Sequence, residues 1–536
     1  MFIYILLILM LMFCTMYKSK KSLHMLQQNL YNENNRYIKW MIKNNKIFFD
    51  LDLSILLISL VGSFVFYDIE YLSFMGLWSI IVISFILGVV WNRRIRNDQN
   101  KKPLVYTKRI KRLIFTSSLF YLVPVVLLFM NVDNNKFCWL MVFVFTILIY
   151  LNYIIVFIAN IINKPIEKMI FLSFRRKAKN KLKSMNKLKV IGITGSYGKT
   201  SSKNILSDIL NIKYNALASP KNLNTPNGLM ITINNHLDKF TDIFIAEMGA
   251  YVRGEIKELC DLVEPKYGIL TRIGTAHLES FGSEENIIKG KFELIESLPE
   301  DGFAVLNGDD PKQVSYKLQN KVKTIWIGIN NKDVDVRADN IKCSSKGSSF
   351  DVYLKGKKEP YKFETRLLGD HNIYNILAGI AFGIEFGISM EELVQAVRGV
   401  RPVEHRLELK RLGNFYQIDD AYNSNPVGAE AACRVLGMMP GIRVVVTPGM
   451  IELGEKEAEY NKKFGEQIAD VADYVVLIGE NKTKPIKEGL LTKGFDKDKI
   501  IVFNDVRKAY SFIGTLTGNE EVYALFENDL PDTFNE

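Results

Sequence analysis

Lys199 and Thr200 follow three glycines in the stretch K-V-I-G-I-T-G-S-Y-G-K-T-S-S, residues 189–202. Gly195, Ser196 and Gly198 can fold as a tight turn whose backbone N–H groups, with the N-terminus of a helix running to about Ile212, converge on one point. Such a point holds a nucleotide phosphate. Lys199 would reach the terminal phosphates, the Thr200 hydroxyl would ligate magnesium, and Ser201 continues the cradle. Five residues separate Gly192 from Gly198, where the general pattern has four, so this is a variant of the loop.

Other residues bear chemistry at neighbouring turns. Glu247 ends the apolar run I-F-I-A-E, where a carboxylate leaving a sheet beside a phosphate loop can share magnesium with Thr200. His277, in T-R-I-G-T-A-H-L-E-S-F-G-S, also lies past a strand end. Its spacing suits a metal ligand and a plain hydrogen-bonded histidine equally. Asn372 and Asn375, in G-D-H-N-I-Y-N, share a helix face and could read a base edge, or could cap the helix. Arg406, in E-H-R-L-E, is a candidate phosphate clamp, and Asp420, in D-D-A-Y-N-S-N-P, a loop carboxylate facing the same cleft.

The elements that must position these residues alternate. Apolar runs at 190–193, 242–246, 267–273 and 302–306 are separated by helical patterns, which predicts a doubly wound parallel sheet with its ligand at the carboxyl ends of the strands. A second series, at 415–418, 443–446, 474–478, 499–503 and 522–526, predicts a further Rossmann-like α/β domain. The boundary falls near Pro402, and residues 321–366 read as β-rich decoration of the first domain.

The first third differs. Apolar runs at Phe2–Met16, Leu53–Tyr67, Tyr71–Trp91, Leu113–Met130 and Phe137–Ile162 are each long enough, or nearly so, to cross about 30 Å of hydrocarbon. The formal charge of +11 divides unevenly: residues 1–190 hold 27 Lys/Arg against 8 Asp/Glu, and residues 191–536 hold 42 against 50. The folded half is thus acidic, which argues against nucleic acid as a partner. Basic loops at 17–47, 92–112 and 163–190 alternate with neutral or acidic ones. This predicts about five spans, the N-terminus outside, and everything after Ile162 in the cytoplasm. Five scattered cysteines without a C-x-x-C pair fit a reducing compartment. The organisation expected is a helical transmembrane domain (1–162), a basic juxtamembrane linker at the inner leaflet (163–188), an ATP-binding domain (189–402) and a C-terminal domain (403–536).

T-G-S-Y-G-K-T, A-E-M-G-A, A-H-L-E-S-F-G-S, G-D-H-N-I-Y-N, E-H-R-L-E and D-D-A-Y-N-S-N-P occur in the order and spacing of the Mur ligases, and residues 189–536 resemble that family. E-M-G-A, Tyr422 to Pro426 and M-I-E-L-G at 450–454 are similar to its D-alanyl-D-alanine-adding branch. The resemblance implies an ATP-dependent carbon–nitrogen ligase of cell-wall synthesis, acting through an acyl phosphate. It implies a first magnesium at Thr200 and Glu247 and a second at His277. Lys291, in K-G-K-F-E-L-I, is implied to carry a carbamate that supports the metal, with Lys289 two residues away. Asn372 and Asn375 are implied adenine contacts, and Arg406 and Asp420 nucleotide contacts made as the C-terminal domain closes. Lys199, His277, Lys291 and Arg406 form the implied catalytic set.

The chain departs from the family in two ways. Membrane spans stand where the soluble UDP-sugar-binding domain is expected, and T-P-G-M at 447–450 lacks the usual acidic residue. A bacterial inner-membrane enzyme is therefore expected. It would join an amino acid or dipeptide to a lipid-linked or polymeric carboxylate, among membrane lipids and envelope-synthesis partners. A poly-γ-glutamate-type synthetase and a non-catalytic nucleotide-sensing module are the alternatives.

Overall fold

The computed structural model describes residues 2–45, 47, 52–61, 70–97, 103–275, 277–344, 346–421, 424–451, 453, 456–516, 518 and 520–528. The chain divides into two compact units, Met1–Ser173 and Phe174–Glu536.

The first unit is helical: α1 (Phe2–Gln28), α2 (Arg36–Lys43), α3 (Asp52–Val61), α4 (Glu70–Asn97), α5 (Lys108–Met130), α6 (Asn135–Tyr150) and the start of α7 (Asn152–Lys183). By length and composition α1 and α5 can each cross a membrane, and α4 has an apolar stretch, Met75–Trp91. The expected segment Phe2–Met16 continues to Gln28 as one helix because its polar continuation finds partners inside the bundle. Lys18 Nζ donates to the Tyr150 carbonyl at 3.1 Å, and Ser22 Oγ donates to Asn152 Oδ1 at 2.5 Å. The expected span Phe137–Ile162 breaks at Leu151, where α6 and α7 bend by 79°. Of Leu53–Tyr67 the described part is α3; residues 62–67, and the loop residues Asp68 and Ile69, lie outside the described residues. The stretch expected as a linker, 163–188, is helical through Lys183, since lysine, arginine and alanine favour helix and Ala178 is buried.

In the second unit, nine strands form one sheet: β1 (Lys189–Thr194), β2 (Ala216–Ala218), β3 (Ile243–Glu247), β4 (Tyr267–Leu270), β5 (Phe303–Asn307), β6 (Lys323–Gly328), β7 (Val336–Ser344), β8 (Gly347–Leu354) and β9 (Tyr361–Thr365). Their order is β2-β3-β1-β4-β5-β6-β7-β8-β9, parallel until the antiparallel pairs β7–β8 and β8–β9. The apolar run of β1 is buried on both faces, as a central parallel strand requires. The chain leaves β1 towards β3 on one side and later returns to β4 on the other, which places the end of β1 at a switch point where ligands bind. The expected strand 267–273 stops at Leu270, because Thr271 to Gly274 turn away to meet the phosphate loop. Ser196 N–H donates to Arg272 O at 3.0 Å and Ser196 Oγ to Gly274 O at 3.2 Å.

A second sheet runs β10 (Glu408–Leu412), β11 (Phe415–Asp420), β15 (Val522–Glu527), β12 (Ile442–Thr447), β13 (Tyr474–Ile478) and β14 (Ile500–Phe503). All neighbours are parallel except the β10–β11 hairpin. The α/β architecture expected for this half is the one observed.

Candidate active site

The loop begins at Gly195, since Gly192 lies inside β1; the usable motif is T-G-S-Y-G-K-T. Gly195 (φ 149°) approaches Thr271 so closely that a Cβ would sit 1.9 Å from Thr271 Oγ1. That hydroxyl is held by Tyr197 O (2.7 Å) and Thr194 O (3.1 Å), so the neighbour has no room to give. Gly198 takes a left-handed φ of 82° and caps α8 (Lys199–Leu210). Lys199 Nζ donates to Gly195 O at 2.8 Å, folded back onto its own loop. Burial lowers its proton affinity, and the Arg406 guanidinium adds to that.

The register Ile193↔Glu247 sets Glu247 beside the loop. Its Oε1 accepts from Thr200 Oγ1 (3.2 Å) and from Asn224 Nδ2 (3.1 Å). Its Oε2 lies 3.0 Å from Lys203 Nζ, a charge contact without hydrogen-bond alignment, so this oxygen is buried with no aligned donor. The Thr200 hydroxyl and Glu247 Oε1 suit a magnesium ion, because it needs few protein donors and takes substrate phosphates and waters as its other ligands. Among the described residues no three of His, Cys, Asp and Glu gather at one point. Glu247 and Thr200 are therefore the oxygens offered. Sequence reasoning missed Lys203 and Asn224; Lys203, one turn after Lys199, carried a readable spacing.

His277 is exposed, has a φ of 62° and packs against Tyr251 with the rings tilted by 60° and their centroids 4.4 Å apart. Partial burial and the charges of Lys291 and Lys199 hold its ring below the usual histidine range, with Glu255 opposing. Lys291 is 1 % exposed, 5.4 Å from the Phe281 ring centroid, with Nζ donating to Ala250 O at 3.3 Å. Burial, with Lys199 as the nearest opposing cation, brings its ammonium down to about 7. Lys289 instead faces solvent and pairs with Glu285 at 2.6 Å.

A cavity of about 680 Å³ opens between the two sheets, lined by Gly198, Ser201, Arg272, Tyr374, Asn375, Arg406 and Asp420 among others. Asn375 is buried with its Nδ2 unpartnered. Asn372 spends its amide on Leu368 O at 2.9 Å and does not line the cavity. Tyr374 OH donates to Asp309 at 2.7 Å, and Asp309 also accepts the N–H groups of Ile329, Asn330 and Asn331. This anchor fixes the helix Asp370–Glu385 against β5 and holds Asn375 at the wall. Asn375→Ala is expected to weaken ADP binding about tenfold by calorimetry while leaving the melting temperature nearly unchanged, since it removes an unsatisfied donor. Asn372→Ala is expected to do the reverse, costing about 1 kcal/mol of stability and little affinity.

Across the cavity, Asp420 lies opposite Glu527 in the β11–β15 register. Ser424 donates to Glu527 Oε1 at 2.5 Å, and Glu527 Oε2 is buried with no donor. Burial pushes Asp420 up to about 6 and Glu527 well above the carboxylate range, with Arg406 opposing both shifts. Like charge on two adjacent carboxyls disfavours ionising both. Leu407 N–H donates to Asp420 Oδ1 at 3.2 Å, which ties the segment bearing Arg406 to this pair. Tyr422 and Asn423 lie outside the described residues, as do Glu452 and Gly454 of M-I-E-L-G.

A phosphate loop at a switch point, a carboxylate–hydroxyl pair beside it and a second α/β sheet across the cavity define a two-domain nucleotide-binding protein. Residues 193–383 match the family model for the Mur ligase middle domain, and residues 405–525 match that for the Mur ligase glutamate ligase domain. The chain belongs to the Mur ligase family, whose members are ATP-dependent acid–amino-acid ligases. It is 34% identical over 317 residues to the UDP-N-acetylmuramoyl-tripeptide–D-alanyl-D-alanine ligase of Bacillus subtilis, covering 58% of this chain and 67% of that one. The Escherichia coli ligase of the same name is 32% identical, covering 54% and 65%. Thus the chain spans about two thirds of these relatives' length. A crystal structure of MurF from Acinetobacter baumannii superposes with a TM-score of 0.60 at 26% identity, covering 67% of this chain and 78% of that one. MurF from Thermotoga maritima in complex with ADP gives 0.59 at 25%, covering 67% and 80%.

Proposed function

We propose that this chain is a membrane-anchored, MurF-like ligase. On this reading it uses ATP to activate a carboxylate as an acyl phosphate and joins it to an amino acid or dipeptide in envelope synthesis. The observation that carries the reading is the meeting of Thr200 and Glu247 beside a phosphate loop whose Gly198 lines the same cavity as Arg406 and Asn375.

A carboxylate does not condense with an amine in water, because hydroxide is a poor leaving group; transfer of a phosphoryl group supplies a better one. Lys199 and Arg406 would offset charge on that group, and Asn375 would orient the base. Magnesium held by Thr200 and Glu247 would neutralise phosphate charge, and a second ion would rest on His277 and Lys291 as its carbamate. Closure of the sheet carrying Asp420 over the cavity would exclude water until the amine arrives.

The acceptor in this reading is lipid-linked or polymeric and reaches the enzyme at the cytoplasmic face of the bacterial inner membrane. Supporting it are the apolar helices α1 and α5 at 1–162, where the soluble sugar-nucleotide domain is expected, followed by the ligase domains at 189–402 and 403–536. The test is ADP release by detergent-purified protein with membrane extracts and a panel of amino acids and dipeptides, with mass spectrometry of the product. One addition to an extract-borne carboxylate is expected. Equal turnover of soluble UDP-muramyl-tripeptide would sink the lipid-linked acceptor, and a ladder of products would indicate a polymerase.

A further inference from the structure

The helix α7 is inside-out. Its inward face is polar: Asn160 Oδ1 accepts from Arg109 at 3.3 Å, Asn163 Oδ1 accepts from Thr116 at 3.1 Å, and Glu167 accepts from Arg112 Nε and Nη2 at 2.8 and 2.9 Å. Asn160 and Asn163 are buried. Its outward face is apolar, with Ile158, Ile161, Ile162, Ile166, Met169 and Leu172 between 38% and 71% exposed. At 3.6 residues per turn these six fall within an arc of about 140° centred opposite Asn163 and Glu167. Water does not stabilise that distribution; hydrocarbon does.

Two features show how this face would lie. The preceding helix α6 is joined to α5 by the short turn 131–134 and packs on it, whereas α7 turns 79° from α6 at Leu151. If α5 and α6 run across a bilayer, α7 runs nearly along its plane. The polar partners it takes from α5, Arg109, Arg112 and Thr116, all lie in the first nine residues of that helix, at its basic end. Lys164 and Lys168 are exposed and flank the apolar arc on one side, where lipid phosphates would meet them.

We infer that residues 158–172 of α7 form an interfacial helix, embedded side-on in the headgroup and upper acyl layer of an acidic leaflet. The inference rests on the reading of the first unit as a membrane domain. Its partner is the lipid surface itself, so α7 serves as a float between the spans and the chain that follows.

Site-directed spin labelling of the full chain in nanodiscs containing phosphatidylglycerol tests it. Single cysteines replace Ile158, Ile162, Ile166, Met169 and Leu172, with Phe115, Leu119, Leu122 and Val126 of α5 as a second series, in a Cys343→Ser background. The α5 labels are expected to show a graded depth by oxygen and nickel accessibility. The α7 labels should share one shallow depth to within about one helical turn, against about 21 Å of travel for a crossing helix. A gradient on α7 with a gradient on α5 overturns the interfacial helix alone, as does full aqueous accessibility on α7. Absence of a gradient on α5 overturns the membrane reading with it. Exchanging acidic for zwitterionic lipid should move the Met169 and Leu172 labels outward; unchanged depth would exclude acidic-lipid recognition.

Discussion

Lys199→Ala is expected to lower acceptor-dependent ADP release about a thousandfold or more while leaving the chain folded. Lys199 Nζ is held by the carbonyls of Gly195 and Ser196, at 2.8 and 3.3 Å. Truncation leaves two buried backbone acceptors without this donor, so the structural cost is about 1–3 kcal/mol. The kinetic cost is larger because a fixed cation facing the transferring phosphoryl group matters most when its charge is redistributed, in a site shielded from water. Burial already lowers the proton affinity of this amine, and the approach of phosphate would restore it. Arg406 lines the cavity and its charge is felt at Lys199, so on the proposed reading the two cations act on one ligand. Lys199→Arg is not expected to rescue, since a planar fork does not fit a space shaped around an ammonium group. Coupled ADP assays, with thermal melts to confirm folding, decide the matter. Retention of a tenth of the wild-type rate in Lys199→Ala would remove the loop from the reaction.

The phosphate loop was legible in the sequence because its chemistry is local: glycines, a lysine and a threonine at fixed spacing need only one strand and one helix to meet. The parallel sheets were legible for a similar reason, as apolar runs such as 190–193 and 443–446 alternate with helical patterns. What escaped depends on contacts between distant segments. Asn224 reaches Glu247 from a loop 23 residues upstream, and the Asp420–Glu527 pair exists only through the β11–β15 register. Tyr374 carries no local signal of a role, yet its hydroxyl on Asp309 anchors the helix that carries Asn375. The two asparagines share a helix face in sequence, but only the fold separates the one with a carbonyl partner from the one left open to the cavity.

The helical unit shows the limit of hydropathy. The run Phe137–Ile162 reads as one span because every residue from 137 to 150 and from 153 to 158 is compatible with lipid. The bend at Leu151 follows from polar side chains beyond it: Asn152 donates to Ser19 Oγ and Tyr121 OH at 2.8 and 2.7 Å, drawing the chain sideways into the bundle. A window average dilutes a single asparagine. The same averaging hid the continuation of α1, where Lys18 and Ser22 are buried.

Lys291→Arg is expected to lower turnover by about two orders of magnitude or more, comparable to losing a metal-supporting ligand. A carbamate forms only on a neutral amine, and arginine offers none. An ordinary lysine is about one part in a thousand neutral at pH 7.5, whereas an amine titrating near 7 is mostly neutral there. The buried site of Lys291, with Lys199 as a neighbouring cation, produces that shift. The sign follows directly: below about pH 7 the ammonium form persists and has no lone pair to attack carbon dioxide, while above it the free amine attacks the carbon and releases a proton. Carbamate occupancy should therefore rise with pH through about 7. Carbon-13 NMR of metal-free protein under labelled carbon dioxide reads this without turnover. One carbamate resonance should titrate in that window and vanish in Lys291→Arg but not in Lys289→Arg. A resonance that survives Lys291→Arg would transfer the modification elsewhere, and the second metal site proposed at His277 would lose its support.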